Sequence, residues 1–248
     1  MAVLTKVVGL LTMLFVASVA ASLGVAIRPA SAESIASFSD DELMDGFHKT
    51  VFGVEYGGAA AGSAVKKFEK GVRVKVVNLA DKDRYREIAG FVSRLPRLVK
   101  GLDIRMAGPR DNPNFVVYVV DRADYVDTVR TDILGSAKAS VPGQCLVRVY
   151  PGSVGIVRSA AVIVSDEGES LFRRCMVEEI LQGLGPMNDN AALYASVFND
   201  RSSYDRFMPF DRAVVSMLYD RRIRPGMTLR EVGTLLPEVL ADVRRSVR

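Results

Sequence analysis

The sequence of 248 residues has no tryptophan, one histidine and two cysteines. The single histidine, His48, excludes the most. One copy of the chain cannot build a site from two or three histidines, which removes the usual catalytic zinc sets. A Ser-His-Asp or Cys-His arrangement would have to use His48 or borrow a histidine from a partner. Two cysteines are too few for a disulfide-dense miniprotein, and no internal repeat or low-complexity tract is visible.

What remains is ordinary for a globular protein. Apolar residues make up 49% and charged residues 25%, with length enough for one large domain or two small ones. The net charge is +4, and two of the basic residues, Lys6 and Arg28, lie in the first 32 positions, which hold no acid. The remainder is therefore closer to neutral and gives no support to nucleic-acid binding. Arg221, Arg222 and Arg224 cluster, as do Arg244, Arg245 and Arg248, without interleaved aromatics. They read as solvated helix ends, with a weak contact to anionic envelope polymers as the alternative.

Residues 1–32 read as an address. Val7 to Ala26 is apolar apart from small or polar residues, and Ala30-Ser31-Ala32 has the small-x-small pattern of a signal-peptidase site. Cleavage before Glu33 is predicted. A stretch of about 20 such residues is also long enough to span a bilayer, so a retained anchor is the alternative. No cysteine follows the apolar run, so a lipoprotein anchor is not available. Both readings place the body of the protein outside the cytoplasm, periplasmic or secreted. In such a compartment the even pair Cys145 and Cys175 reads as a disulfide closing a loop of about 30 residues, stabilising by roughly 3–4 kcal/mol. Two buried thiols, or a reactive Cys175, are the rival readings.

Along the body, Ser39-Asp40-Asp41-Glu42 has capping chemistry ahead of a short amphipathic helix that carries His48. Gly57 to Ser63 (GGAAAGS) is a connector, lacking the lysine and glycine spacing of a phosphate-binding loop. Residues 33–64 thus read as an N-terminal arm and 65–248 as the main domain. Strands are predicted at 72–77, 102–106, 114–120, 145–150 and 155–164, and helices at 82–99, 123–133, 168–184, 209–219 and 228–245. The continuous run FVVYVV at 115–120 reads as a central, doubly buried strand. This alternation is an α/β or α+β pattern, with helices backing one sheet.

The segment from Cys175 to Asp189 reads CMVEEILQGLGPMND. On a helix at about 100° per residue, Phe172, Met176, Val177, Ile180, Leu181 and Leu184 fall on one face, and Cys175, Glu178, Glu179 and Gln182 on the opposite arc. This resembles the active-site helix of the zincin metalloproteases with its histidines replaced. Where the metzincin pattern has H-E-x-x-H-x-x-G-x-x-H, this chain has E-E-I-L-Q-G-L-G-P-M-N. The resemblance makes Glu179 the general-base position and Gly185 the turning glycine. The ligand positions then hold Glu178, Gln182 and Asn188, with Asp189 adjacent. The order β-α-β-β-β-β before this helix resembles the matrixin-type metzincins. Ser196-Val197-Phe198-Asn199-Asp200 stands at their methionine turn, and Asp211 to Tyr219 at the D…LY opening of their last helix. The stretch from EEILQGLGPMND through SVFND to RRIRPGM is also similar to the domain-of-unknown-function family numbered 2927, uncharacterised bacterial envelope proteins without an established activity.

The resemblance implies a zincin-like α+β fold: a mixed sheet, an active-site-type helix, then C-terminal helices. Glutamine and asparagine carbonyls are hard, weak donors that suit calcium or magnesium rather than zinc. Without zinc the water beside Glu179 is not acidified and zincin hydrolysis fails. The sequence therefore reads as a binding or scaffolding pseudo-enzyme with no cofactor. Its partner would be an envelope protein or polymer, and it would touch the membrane only if the N-terminal segment is retained. The alternative is a hydrolase with a divalent cation on Glu178, Gln182 and Asn188 or Asp189, and Glu179 as general base.

Overall fold

Alternation of period two and helical stripes of period 3.6 meet on a single sheet. A computed structural model describes residues 34–52 and 64–247. These all belong to one unit, Glu33–Arg248. The expected signal segment, 1–32, and the connector, 57–63, lie outside the described residues. Among the described residues no helix is long and apolar enough to cross a membrane.

The chain runs α1 (Asp40–Val51), β1 (Val72–Asn78), α2 (Tyr85–Leu98), β2 (Ile104–Met106), β3 (Phe115–Val120) and α3 (Arg122–Thr128). It continues through β4 (Cys145–Pro151), β5 (Ile156–Val164), α4 (Glu169–Gln182), α5 (Pro209–Leu218) and α6 (Leu229–Ser246). The predicted helix at 123–133 ends its α-helical part at Thr128 and passes into a π-helical turn, Val129–Leu134, that stops at Gly135. The strands form one mixed sheet in the order β2-β1-β3-β5-β4, parallel except for β4, which is antiparallel to β5. The architecture is α+β, as expected.

The run 115–120 takes the central position. Phe115, Val117 and Val119 point into the main core, with α2 and α4, while Val120 joins Tyr125, Val129 and Ile133 on the other face. Coverage on both faces is why this strand is a continuous apolar run rather than an alternation. Helix α1 starts at a capping box, Ser39 with Glu42, and buries Leu43, Phe47 and Val51 against α5 and α6. Arg244 of α6 fastens this corner through Asp40 and the carbonyls of Ile35 and Phe38, so it is not the solvated helix end expected.

One buried cation sets where α4 begins. Arg84, 1% exposed, donates to the Ser165 carbonyl and hydroxyl at the end of β5, and to Glu169 at the start of α4. Its guanidinium lies over the Phe172 ring, 4.0 Å from the centroid. Replacement by alanine leaves the buried Ser165 acceptors unmatched and removes the stacking on Phe172. We expect Arg84→Ala to lower stability by about 2–4 kcal/mol in urea unfolding. A loss under about 0.5 kcal/mol would contradict the role given to it.

Candidate functional site

Helix α4 is buried on both sides. Its apolar face, with Phe172, Met176, Val177, Ile180 and Leu181, packs into the main core. The opposite arc is covered too: Glu178, Glu179 and Gln182 are each 5% exposed. A buried carboxylate is costly unless it is paired or hydrogen-bonded, so the arc needs partners. They come from three directions.

The first is α4 itself. Arg174, one turn before Glu178, donates from Nε to its Oε2 at 3.2 Å. The same guanidinium donates to the carbonyl of Ser202 at 2.8 Å and of Asn199 at 3.5 Å. The second is the chain that follows. Gly185 has φ +136°, and a Cβ there would stand 2.3 Å from the Lys66 carbonyl oxygen, so only glycine fits this reversal. Beyond it, Asn188 is hooked onto the end of α1, its backbone N–H on Thr50 O and its side-chain Nδ2 on Lys49 O. That hook turns Asp189 back toward α4, where it accepts from Gln182 Nε2 at 2.8 Å.

The third is the loop at 196–200. Asp211, at the start of α5 and fully buried, accepts from the Ser196 hydroxyl at 2.6 Å and the backbone N–H of Val197 at 3.2 Å. Burial pushes its carboxyl up to about 7, against those hydrogen bonds, and the charge of Glu178 adds to the rise. Tyr219, at the end of α5, donates to Leu184 O at 2.9 Å and ties the two helix ends together. The S-V-F-N-D stretch is thus held on Asp211 from behind, and it presents Asp200 to the site.

Between α4 and the edge strand β4 lies a cleft of about 840 Å³. Val147 and Val149 line one side, and Glu178, Glu179, Gln182, Asp189 and Asp200 the other. Cys145 of β4 and Cys175 of α4 form a disulfide across it, Cα to Cα 5.8 Å. The expected pairing is present, and it fits a compartment outside the reducing cytoplasm. Carboxylate oxygens of Glu178, Asp189 and Asp200 lie within 4.8 Å of one another. Thus the structure brings together Glu178, Glu179, Gln182 and the adjacent Asp189, whereas Asn188 is engaged at α1 and does not line the cleft. Reading the sequence missed Arg174 and Asp200. Arg174 stands four residues before Glu178, an ion-pair spacing on a helix, and that signal was available. His48 packs beside Phe47 and Phe52 on α1, and burial lowers its pKa.

The family described as a protein of unknown function, DUF2927, matches residues 40–238. The chain belongs to that family. The match opens on the first residue of α1 and ends within α6, so it takes in every element that shapes the cleft. No curated protein matches the chain. No solved structure matches it either. The DUF2927 fold thus has to be read from its own chemistry: a cleft lined by four acids and three basic residues, with Arg174 paired to Glu178, and a disulfide joining its two sides.

Asp211 gives this site a pH signature. Its carboxyl has a pKa of about 7 in the fold against 3.8 as the ordinary value. Its contribution to stability is full below 3.8 and is lost as pH rises through about 7. Asp211→Asn is therefore expected to remove a fall in stability over that window, measured as the difference between the two proteins in urea unfolding. Parallel pH curves would contradict the protonated, buried state.

Proposed function

We propose that this DUF2927 protein is a secreted or periplasmic zincin-like domain without ordinary zinc catalysis, a binding or scaffolding pseudo-enzyme of the cell envelope. The observation that carries the reading is the condition of the ligand positions on and after α4. Glu178 is bonded to Arg174, Gln182 to Asp189, and Asn188 to the end of α1. A guanidinium already supplies the positive charge at the head of the pattern, and no imidazole or thiolate is there to hold zinc. Zincin-like architecture is supported by the element order before α4, by Glu179 and Gly185 at their expected places, and by the 196–200 turn held on Asp211. Export is supported by the apolar leader and the disulfide.

The cleft favours an extended polypeptide. Strand β4 is the outer strand of the sheet, with no further strand paired to it among the described residues. Its free edge can accept one more strand through backbone hydrogen bonds, and Asp189 and Asp200 beside it suit a basic side chain. Lysine-containing extended peptides, read by fluorescence anisotropy on the full chain, are expected to bind. Asp189→Asn with Asp200→Asn should weaken them by about tenfold, or roughly 1.4 kcal/mol. Equal binding to wild type and variant would sink this reading.

A second reading rests on the three carboxylates within 4.8 Å, an oxygen set suited to calcium or magnesium, with Gln182 beside it and Glu179 as general base. Thermal unfolding with and without calcium, magnesium or manganese separates the two. The pseudo-enzyme reading expects midpoints within about 1 °C of the chelated protein. A rise of several degrees that Glu178→Ala abolishes would favour the hydrolase.

A further inference from the structure

We infer that a second cleft, between the α5–α6 turn, residues 67–69 and the end of α2, binds a small polyanion that carries phosphate groups. This cavity measures about 1120 Å³ and shares no lining residue with the cleft beside α4. It is built around charge. Six cationic side chains line it against four acidic ones. Three of the four acids, Asp220, Glu238 and Asp242, are bonded to the single guanidinium of Arg222. Asp242 also pairs with Arg245. Counting Glu69 as the fourth acid, the lining carries a net charge of +2, and these three acids are paired from within.

The cations at the mouth are not. Lys100, Arg221 and Arg224 are exposed and have no ion-pair partner among the described residues. The acid that acts on Arg224 by charge, Glu231, is engaged in capping α6, accepting from the backbone N–H and hydroxyl of Thr228. Three separated cations around one opening match a ligand with two or more negative charges better than a single carboxylate. Guanidinium and ammonium groups both bind phosphate oxygens strongly.

The floor is prepared in the same sense. The carbonyl end of α5 would repel an anion, and Lys67 covers it, donating from Nζ to the carbonyls of Leu218 and Asp220 at 2.8 and 3.2 Å. Lys67 is buried, and desolvation lowers its pKa to about 8, so it keeps its charge at neutral pH and an anion in the cleft would favour that charge further. Beside it the hydroxyl of Ser216 is buried with no hydrogen-bond partner among the described residues, although the residue lines the cavity. Its oxygen exposes almost no surface to the cavity, so the donors a ligand would meet there are the cations.

Calorimetric titration of the full chain with pyrophosphate at low salt tests the site. Saturable binding is expected, weakened by about tenfold in Arg221→Ala/Arg224→Ala, with the unfolding midpoint unchanged. Arg110→Ala, an exposed cation elsewhere, should leave binding within about twofold. No saturation up to about 10 mM, or an equal loss in Arg110→Ala, would overturn the proposal. Sedimentation with phosphatidylglycerol vesicles, phosphatidylcholine as control, then identifies the source. Binding that pyrophosphate displaces assigns a lipid headgroup, and pyrophosphate binding without sedimentation assigns a soluble phosphate ligand.

Discussion

Burial of an acidic helix face is the constraint around which this molecule is arranged. Glu178, Glu179 and Gln182 on α4 are almost wholly withdrawn from water. A carboxylate in such a place must be matched by a cation or by donors, or it takes up a proton. Arg174 meets that demand for Glu178, and the demand explains much of the surrounding chain. Gly185 reverses the backbone, Asn188 pins it to α1, and Asp189 comes back to Gln182. The 196–200 loop supplies carbonyl acceptors to the same arginine and is itself held by Asp211.

This arrangement gives α1 a place in the site. It was read from the sequence as part of an arm preceding the main domain. In the fold it packs on α5 and α6, and its last carbonyls receive Asn188. The DUF2927 match starts at Asp40, the first residue of that helix. The two clefts also differ in kind. One is acidic beside an open sheet edge; at the other, Lys100, Arg221 and Arg224 have no ion-pair partner among the described residues.

Much of this was legible before any coordinates. The central strand announced itself as an apolar run, α1 by its capping box, and the disulfide by an even pair of cysteines behind an expected signal segment. Glu178, Gln182 and Asp189 were correctly placed on one side of α4 or next to it. What a helical wheel cannot show is what covers the second face. The wheel put the polar arc opposite the core, and that arc is buried as well because β4 and the 187–200 segment close over it. Likewise Arg222 and Arg244 looked like solvated charge. Their partners, Asp242 and Asp40, lie on other elements, and only tertiary packing brings them close. Asp200 joined the cluster for the same reason. Arg174 was the exception, since its partner stands four residues away on the same helix.

The central claim is that protein groups, and not a metal ion, hold Glu178, Gln182 and Asn188. Elemental analysis by mass spectrometry on the full chain, purified without chelators, tests it most directly. Less than about a tenth of an equivalent of any divalent metal is expected, because a tightly held ion would remain bound through purification. One equivalent of calcium, magnesium, manganese or zinc, lost in Glu178→Ala, would contradict the claim and make the acidic cluster a metal centre.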